Sequence, residues 1–295
     1  MNTFYTGDVL EILSSLPSES VHCCVTSPPY FGLRDYGVSG QLGLEPTPEE
    51  YVNKLVNVFR EVKRVLRKDG TLWLNLGDSF KNKNLLGIPW RVAFALQEDG
   101  WYLRQDIIWA KTNPMPESVT DRCTKSHEYI FLLSKSSKYY YDASSVAEPV
   151  ADSTIKRLSQ DLEHQEGSHR VPNKTNGTMK AVVPRYGGKK YTENLEVFNR
   201  TKSGNIYELR DRRNKRDVWI ISTKPFKGAH FAVFPPDLVK PCILAGCPSG
   251  GKALDPFGGS GTVAMVASEL GRDSIYIDLN AEYTEMAKER ASTLF

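Results

Sequence analysis

The segment from Leu244 to Phe295 limits the possible folds more than any other part of this chain. Lys252–Asp255 reads as a short strand. It runs into the turn Asp255-Pro256-Phe257-Gly258-Gly259-Ser260-Gly261-Thr262. A helical pattern follows from Thr262 to Leu270 and stops at Gly271. A second strand, Ser274–Ile277, ends at Asp278, and a helix starts near Ala281. Strand, glycine-rich turn, helix, strand, acid, helix is the opening half of a doubly wound α/β sheet. The turn is not a phosphate loop, because no Gly-Lys-Ser/Thr follows it. Nor is it the dinucleotide fingerprint, because its glycines fall at 258, 259 and 261. Glycines there let backbone approach a ligand, and the helix start behind them offers free N–H groups. Asp278, roughly 20 positions past Asp255, stands where an acidic strand end meets ribose hydroxyls. A carboxylate at Asp255 would repel a pyrophosphate and suit a cationic ligand bearing an amino group. S-adenosyl-L-methionine has a ribose, an ammonium, a sulfonium and no phosphate, so it fits.

Such a unit normally opens its fold, yet here it closes the chain. The N-terminal half supplies the missing pieces. Strands are expected at Thr3–Tyr5, Val21–Thr26, Thr71–Leu76 and Tyr102–Trp109, with a late pair at Tyr129–Leu133 and Tyr139–Asp142. Helices are expected at Val9–Leu16, at Glu49–Arg67 (ended by Gly70) and at Pro89–Gln97. In Glu49–Arg67 the apolar residues Val52, Leu55, Val56, Phe59, Val62, Val65 and Leu66 recur at helical spacing. Alternating strands and helices predict one mostly parallel, doubly wound α/β sheet assembled from both ends of the chain. Residues 1–142 and 218–295 would form it.

Between 143 and 217 the periodicity fades and Asn, Gly, Lys and Arg accumulate. Arg185–Lys190 (RYGGKK) and Arg210–Arg216 (RDRRNKR) lie here. Alone, such runs favour a solvated insertion over a lobe that meets an acidic polymer.

Cys24–Gly32 reads CVTSPPYFG. Pro28 and Pro29 donate no backbone hydrogen bonds and fix φ near −65°. Ser27 is pushed toward extended backbone by the proline after it. A buried strand therefore stops at a stiff corner that presents a hydroxyl, carbonyls and the ring of Tyr30.

The 295 residues are 40% apolar and 25% charged, an ordinary globular composition, and the net charge of +3 does not announce nucleic acid. No stretch approaches the roughly 20 apolar residues that span a bilayer. Met1–Leu10 lacks the basic-then-apolar order of a signal peptide. The five cysteines form no CxxC, so neither a disulfide framework nor a zinc site is expected. A reducing, cytoplasmic setting is.

With DPFGGSGT and TSPPY both present, the chain resembles the amino-methylating DNA methyltransferases. Its order, catalytic motif first and cofactor motif last, resembles their beta class. GDVLEIL (Gly7–Leu13), WAKTNPMPESVTDR (Trp109–Arg122), HEYIFLLSK (His127–Lys135) and AHFAVFPPDL (Ala229–Leu238) resemble further family motifs. The resemblance implies a class I S-adenosylmethionine methyltransferase fold in permuted order, prokaryotic or phage-encoded. It implies Asp8 near the cofactor adenine, with Asp255–Thr262 and Asp278 holding the rest of the cofactor. It places a target recognition region between the HEYIF-like and AHFAVFP-like segments, where the basic stretch lies. Arg122, Arg185, Lys189, Lys190, Arg210, Arg212 and Arg213 become candidates for DNA contacts. The partner would be double-stranded DNA, in a setting with a companion restriction endonuclease, and the chain a monomer or homodimer.

An exocyclic amine is a poor nucleophile, because its lone pair is delocalised into the ring. In the resemblance the Pro28 carbonyl and the Ser27 side chain hydrogen-bond its N–H groups, Pro29 keeps the corner rigid and Tyr30 stacks on the flipped base. No covalent adduct and no metal are needed. In this family SPPY more often accompanies cytosine N4 methylation, and DPPY or NPPY adenine N6 methylation. A serine hydroxyl can also donate to cytosine N3, which an ionised Asp cannot do. N4 of cytosine is the expected target. Adenine N6, an RNA or small-molecule methyltransferase, an inactive DNA-binding relic and a nicotinamide enzyme are the alternatives. Phe31 and Trp109 could line the pocket. His127 and His230 are expected to be structural, and Lys111, Arg122 and Lys125, as lone charges, solvated unless they meet phosphates.

Overall fold

The computed structural model describes residues 1–153, 198–200, 206–208, 212–223 and 235–292. Their packing divides the chain into two compact units. One comprises Met1–Ser145 with Arg216–Phe295, the other Val146–Lys215.

The first unit is an eight-stranded sheet. Its strands are β1 (Asn2–Thr6), β2 (Val21–Thr26), β3 (Leu66–Leu76), β6 (Tyr102–Ala110), β7 (His127–Ser134), β12 (Val218–Ile220), β13 (Lys252–Asp255) and β14 (Asp273–Asp278). The short hairpin strands β4 (Phe80–Lys81) and β5 (Asn84–Leu85) stand apart from it. The order across the sheet is β1-β14-β13-β2-β3-β7-β6-β12. Neighbours pair in parallel except at β7, which runs antiparallel to both β3 and β6. The junction of β13 and β2 pairs Ala253 with Cys23 and Leu254 with Cys24, so the two ends of the chain meet at mid-sheet. From β13 the chain steps outward to β14, and from β2 it steps the other way to β3. That reversal is the switch point at whose carboxyl edge open α/β sheets bind ligands.

The helices are α1 (Val9–Ser15), α2 (Pro48–Val65), α3 (Ile88–Glu98), α4 (Pro236–Gly246), α5 (Thr262–Glu269) and α6 (Ala281–Ser292). Thr47 caps α2 by accepting the Glu50 N–H at 3.2 Å, and eight residues from Tyr51 to Val65 bury its apolar face. The helix ends two residues earlier than the periodicity predicts, and β3 begins at once with Leu66. No helix among the described residues is long and apolar enough to cross a membrane.

The expected strand at Tyr139–Asp142 is not one. The Tyr140 N–H donates to Asp69 O and the Asp142 N–H to Ala245 O, so the segment crosses the start of β3 and the end of α4. Its alternating rings have separate uses: Arg104 lies over Tyr139 and Tyr141 stacks on Trp73. The strand that β7 pairs with on that side is β6.

In the second unit, β8 (Glu148–Pro149) pairs antiparallel with β11 (Arg212–Arg213), and β9 (Phe198–Arg200) with β10 (Ile206–Glu208). Glu148 receives Arg213 at 3.7 Å and Lys215 at 3.6 Å, and Arg212 donates to Ala147 O at 2.7 Å. Arg185, Lys189, Lys190, Arg210 and His230 lie outside the described residues.

Candidate active site

A cavity of about 1070 Å³ opens at the carboxyl edge of the first unit's sheet. Its floor at one end is the turn after β13. Pro256, Phe257, Gly258, Gly259 and Ser260 line it, with Gly7 and Asp8 from the β1 end and Asp278 from the β14 end. Asp278 organises this corner. Its Oδ2 accepts the Gly259 N–H at 2.8 Å and its Oδ1 the Asn280 N–H at 2.8 Å. Burial pushes its carboxyl above the usual range, against the pull of those N–H groups. Asp8 caps α1, its Oδ1 accepting from Leu10 and Glu11.

Two residues that sequence reasoning missed hold the turn from behind. The Tyr276 hydroxyl donates to Gly259 O at 2.7 Å, and Arg290 of α6 donates to Ser260 O at 2.7 Å and Ser260 Oγ at 2.9 Å. A Cβ on Gly258 would come within 2.1 Å of the Tyr276 ring, so this glycine serves close packing inside the fold. Asp255, Gly261 and Thr262 do not line the cavity. Asp255 is 1% exposed and braces the turn, its Oδ1 accepting Thr26 Oγ1 at 2.7 Å and the Phe257 N–H at 3.2 Å.

The other end of the cavity is the corner after β2. Ser27, Pro28, Pro29 and Tyr30 all line it. The Tyr51 hydroxyl donates to Pro29 O at 2.7 Å and pins the corner to α2. Tyr30 packs on Gly77, where a Cβ would lie 2.6 Å from its ring. The Ser27 hydroxyl donates to Tyr30 Oη at 3.2 Å, and the phenol donates to Glu128 Oε2 at 2.8 Å. Asn75 Nδ2 donates to Glu128 Oε2 at 2.8 Å and also reaches Tyr30 Oη and, at 3.4 Å, Ser27 Oγ. Asn75 Oδ1 is buried with no partner among the described residues. Lys111 pairs with Glu128 Oε1 and lies 4.6 Å from the centre of the Trp109 ring. Sequence reasoning singled out Ser27 and Tyr30 but not Asn75 or Glu128. Its one available signal for Glu128 was the acid inside HEYIF.

Trp109 lines the cavity and Phe31 belongs to the core. His127 lines the cavity with its ring against Tyr129. Lys125, expected to be solvated, donates to Asp78 O at 2.7 Å, and burial lowers its pKa. Lys111 is likewise paired rather than solvated. Arg122 pairs with Glu117 at 2.7 Å and lies over Phe80 at 4.2 Å. Arg212 and Arg213 are exposed.

The turn end thus offers the Asp8 and Asp278 carboxylates as acceptors, the Phe257 ring and small residues. Those acceptors suit ribose hydroxyls and a cationic sulfonium. The corner offers a hydroxyl, an amide and a ring. The profile of the DNA methylase family, which joins N6- and N4-methyltransferases, matches residues 21–289. This chain belongs to the DNA methylase family. The methylase is 43% identical to the Type II methyltransferase M.SmaI of Serratia marcescens, over 96% of this chain and 88% of that one. It is 42% identical to M.Cfr9I of Citrobacter freundii, over 98% and 87%. Its fold matches the cytosine-N4-specific PvuII DNA methyltransferase with a TM-score of 0.66 at 19% identity, covering 98% of this chain and 86% of that one. It also matches TTHA0409 of Thermus thermophilus, solved with S-adenosyl-L-methionine, with a TM-score of 0.62 at 22% identity, covering 99% and 94%. Both matches bear out the class I methyltransferase fold that the sequence predicts.

Proposed function

We propose that this DNA methylase transfers a methyl group to the exocyclic N4 of cytosine in double-stranded DNA, with the target base turned out of the helix. S-adenosyl-L-methionine is the methyl donor. The observation that carries the reading is that Ser27–Tyr30 and the Asp278-organised turn face one continuous cavity. Its volume exceeds the roughly 300–1,000 Å³ of a single small-ligand site, which leaves room for a base beside the cofactor.

At the turn end, Asp278 would hold the ribose, Asp8 would face the adenine, and Phe257–Ser260 would approach the rest. When bound there, the cofactor supplies an electrophilic methyl on a sulfonium. At the corner, the Pro28 carbonyl, Ser27 Oγ and Asn75 Oδ1 are acceptors for the amine N–H groups. Holding those hydrogens out of the ring plane draws the nitrogen toward sp³ character and frees its lone pair. In this structure the Ser27 proton is directed at Tyr30, so the serine meets the base as an acceptor. The expected donation to cytosine N3 would need the hydroxyl to rotate. Extruding a base costs a few kcal/mol, and stacking on the Tyr30 ring returns roughly 1–3 kcal/mol. Cytosine and adenine both offer an amine beside a ring-nitrogen acceptor. The SPPY segment is what supports cytosine. The Type II relatives support a setting beside a restriction endonuclease.

Nucleoside mass spectrometry on mixed-sequence duplex DNA, incubated with the protein and methyl-labelled S-adenosyl-L-methionine, tests the reading. Labelled N4-methylcytosine is expected. Labelled N6-methyladenine would keep the fold and cofactor and overturn the base assignment.

A further inference from the structure

Methylation leaves a proton to be removed. A nitrogen that gains a methyl and keeps both its hydrogens is cationic, and one N–H bond must break. The corner holds a path for that proton. Ser27 Oγ donates to Tyr30 Oη at 3.2 Å, and Tyr30 Oη donates to Glu128 Oε2 at 2.8 Å. The three residues come from the end of β2 and from β7, and all line the cavity. The Glu128 side chain is 14% exposed and its other oxygen is held by Lys111.

We propose that Ser27, Tyr30 and Glu128 form a proton relay that carries the surplus proton of the methylated amine to the Glu128 carboxylate. This rests on the reading that an exocyclic amine enters the cavity beside Ser27, and on nothing about which base bears it. The amine N–H breaks with its electron pair left on nitrogen, and the proton passes to Ser27 Oγ. Ser27 passes its own proton to Tyr30, and Tyr30 passes its own to Glu128 Oε2. Each hydroxyl gives one proton and takes one, the nitrogen ends neutral, and Glu128 ends as a neutral acid. Lys111 keeps its charge throughout. Burial and the adjacent Glu128 push the Tyr30 phenol upward, so it hands a proton on without resting as a phenolate. Asn75 Nδ2, donating to both Tyr30 and Glu128, holds the two oxygens in line. Glu128 is in this account a positioning and proton-accepting residue that acts through Tyr30.

Two variants separate the relay from simple bracing. Tyr30→Phe keeps the ring on Gly77 and removes the link. Glu128→Gln keeps the shape and, with its amide oxygen toward Tyr30 and Asn75, their two hydrogen bonds; it gives up the bond from Lys111 and cannot take a proton. The measurement is single-turnover transfer to mixed-sequence duplex DNA, with enzyme in excess and loaded with S-adenosyl-L-methionine, scored on whichever base the wild type labels. Each variant is expected to slow the step by about 100-fold, the usual range for losing proton transfer. The double variant should be no slower than the slower single one, and cofactor Kd by calorimetry should not move. In mixtures of light and heavy water the wild type should give a curved proton inventory, and Tyr30→Phe a linear one. A rate within about twofold of wild type in either variant would overturn the relay, and so would losses that multiply. Label on adenine N6 in the wild type would overturn the base assignment and leave the relay standing. No label on any base would overturn the reading beneath both.

Discussion

Asp255 is a carboxylate with little to balance its charge. One oxygen is held by Thr26 and the Phe257 N–H, and the other is buried with no partner among the described residues. Burial pushes its pKa to about 7. An acid whose folded pKa is raised favours folding while it stays protonated. That stability is complete below the unfolded value near 4 and is lost as pH rises through about 7. The free protein should therefore melt at a lower temperature near pH 8 than near pH 5, and Asp255→Asn should shrink that difference. Asparagine keeps an acceptor for Thr26 and carries no charge. Thermal melts of both proteins across this range check it. An equal pH dependence in the two would remove Asp255 as the cause. Glu128 stands in contrast, since Lys111, Asn75 and Tyr30 all reach its carboxylate.

The turn between β13 and α5 shows how a loop is built from its neighbours. Gly258 sits on a tyrosine ring that is itself tied down by its bond to Gly259 O, so the ring cannot retreat. Gly258→Ala should destabilise the protein by about 1–3 kcal/mol in urea unfolding, as overpacking does. Tyr276→Leu in the same chain should recover part of the loss, and no recovery would mean the strain lies elsewhere. The glycines of DPFGGSGT were legible as a tight turn, and Gly258 and Gly259 line the cavity while Gly261 does not, but the ring behind Gly258 was not legible. It comes from β14, and only the pairing of Asp255 with Tyr276 across β13 and β14 puts it there. Long periodic elements such as α2 and the buried β2 were readable because one face of each is apolar. α4 was not, because Pro241 interrupts its pattern. β12 is three residues beside a basic run. The tyrosines at 139–141 mimicked a strand, because alternation alone does not require a partner. Asn75, Lys111 and Glu128 come from three different parts of the chain, and no local pattern announces their meeting.

The chain closes its sheet by bringing its last two strands between its first two. β14 lies against β1 and β13 against β2. This places the Asp278 corner and the Ser27 corner around one cavity, although they are remote in sequence. In the proposed function the two corners have separate tasks, one holding the methyl donor and the other the target base. Asp278→Ala and Tyr30→Ala, compared side by side, test it most directly. Calorimetry gives the Kd for S-adenosyl-L-methionine, and label transfer to duplex DNA gives the turnover rate. Asp278→Ala should weaken cofactor binding by roughly tenfold or more, the loss of about 1.4 kcal/mol. Tyr30→Ala should leave that Kd unchanged and cut turnover by at least as much. An unchanged Kd in Asp278→Ala, or equal losses of binding and turnover in Tyr30→Ala, would contradict this division of the cavity.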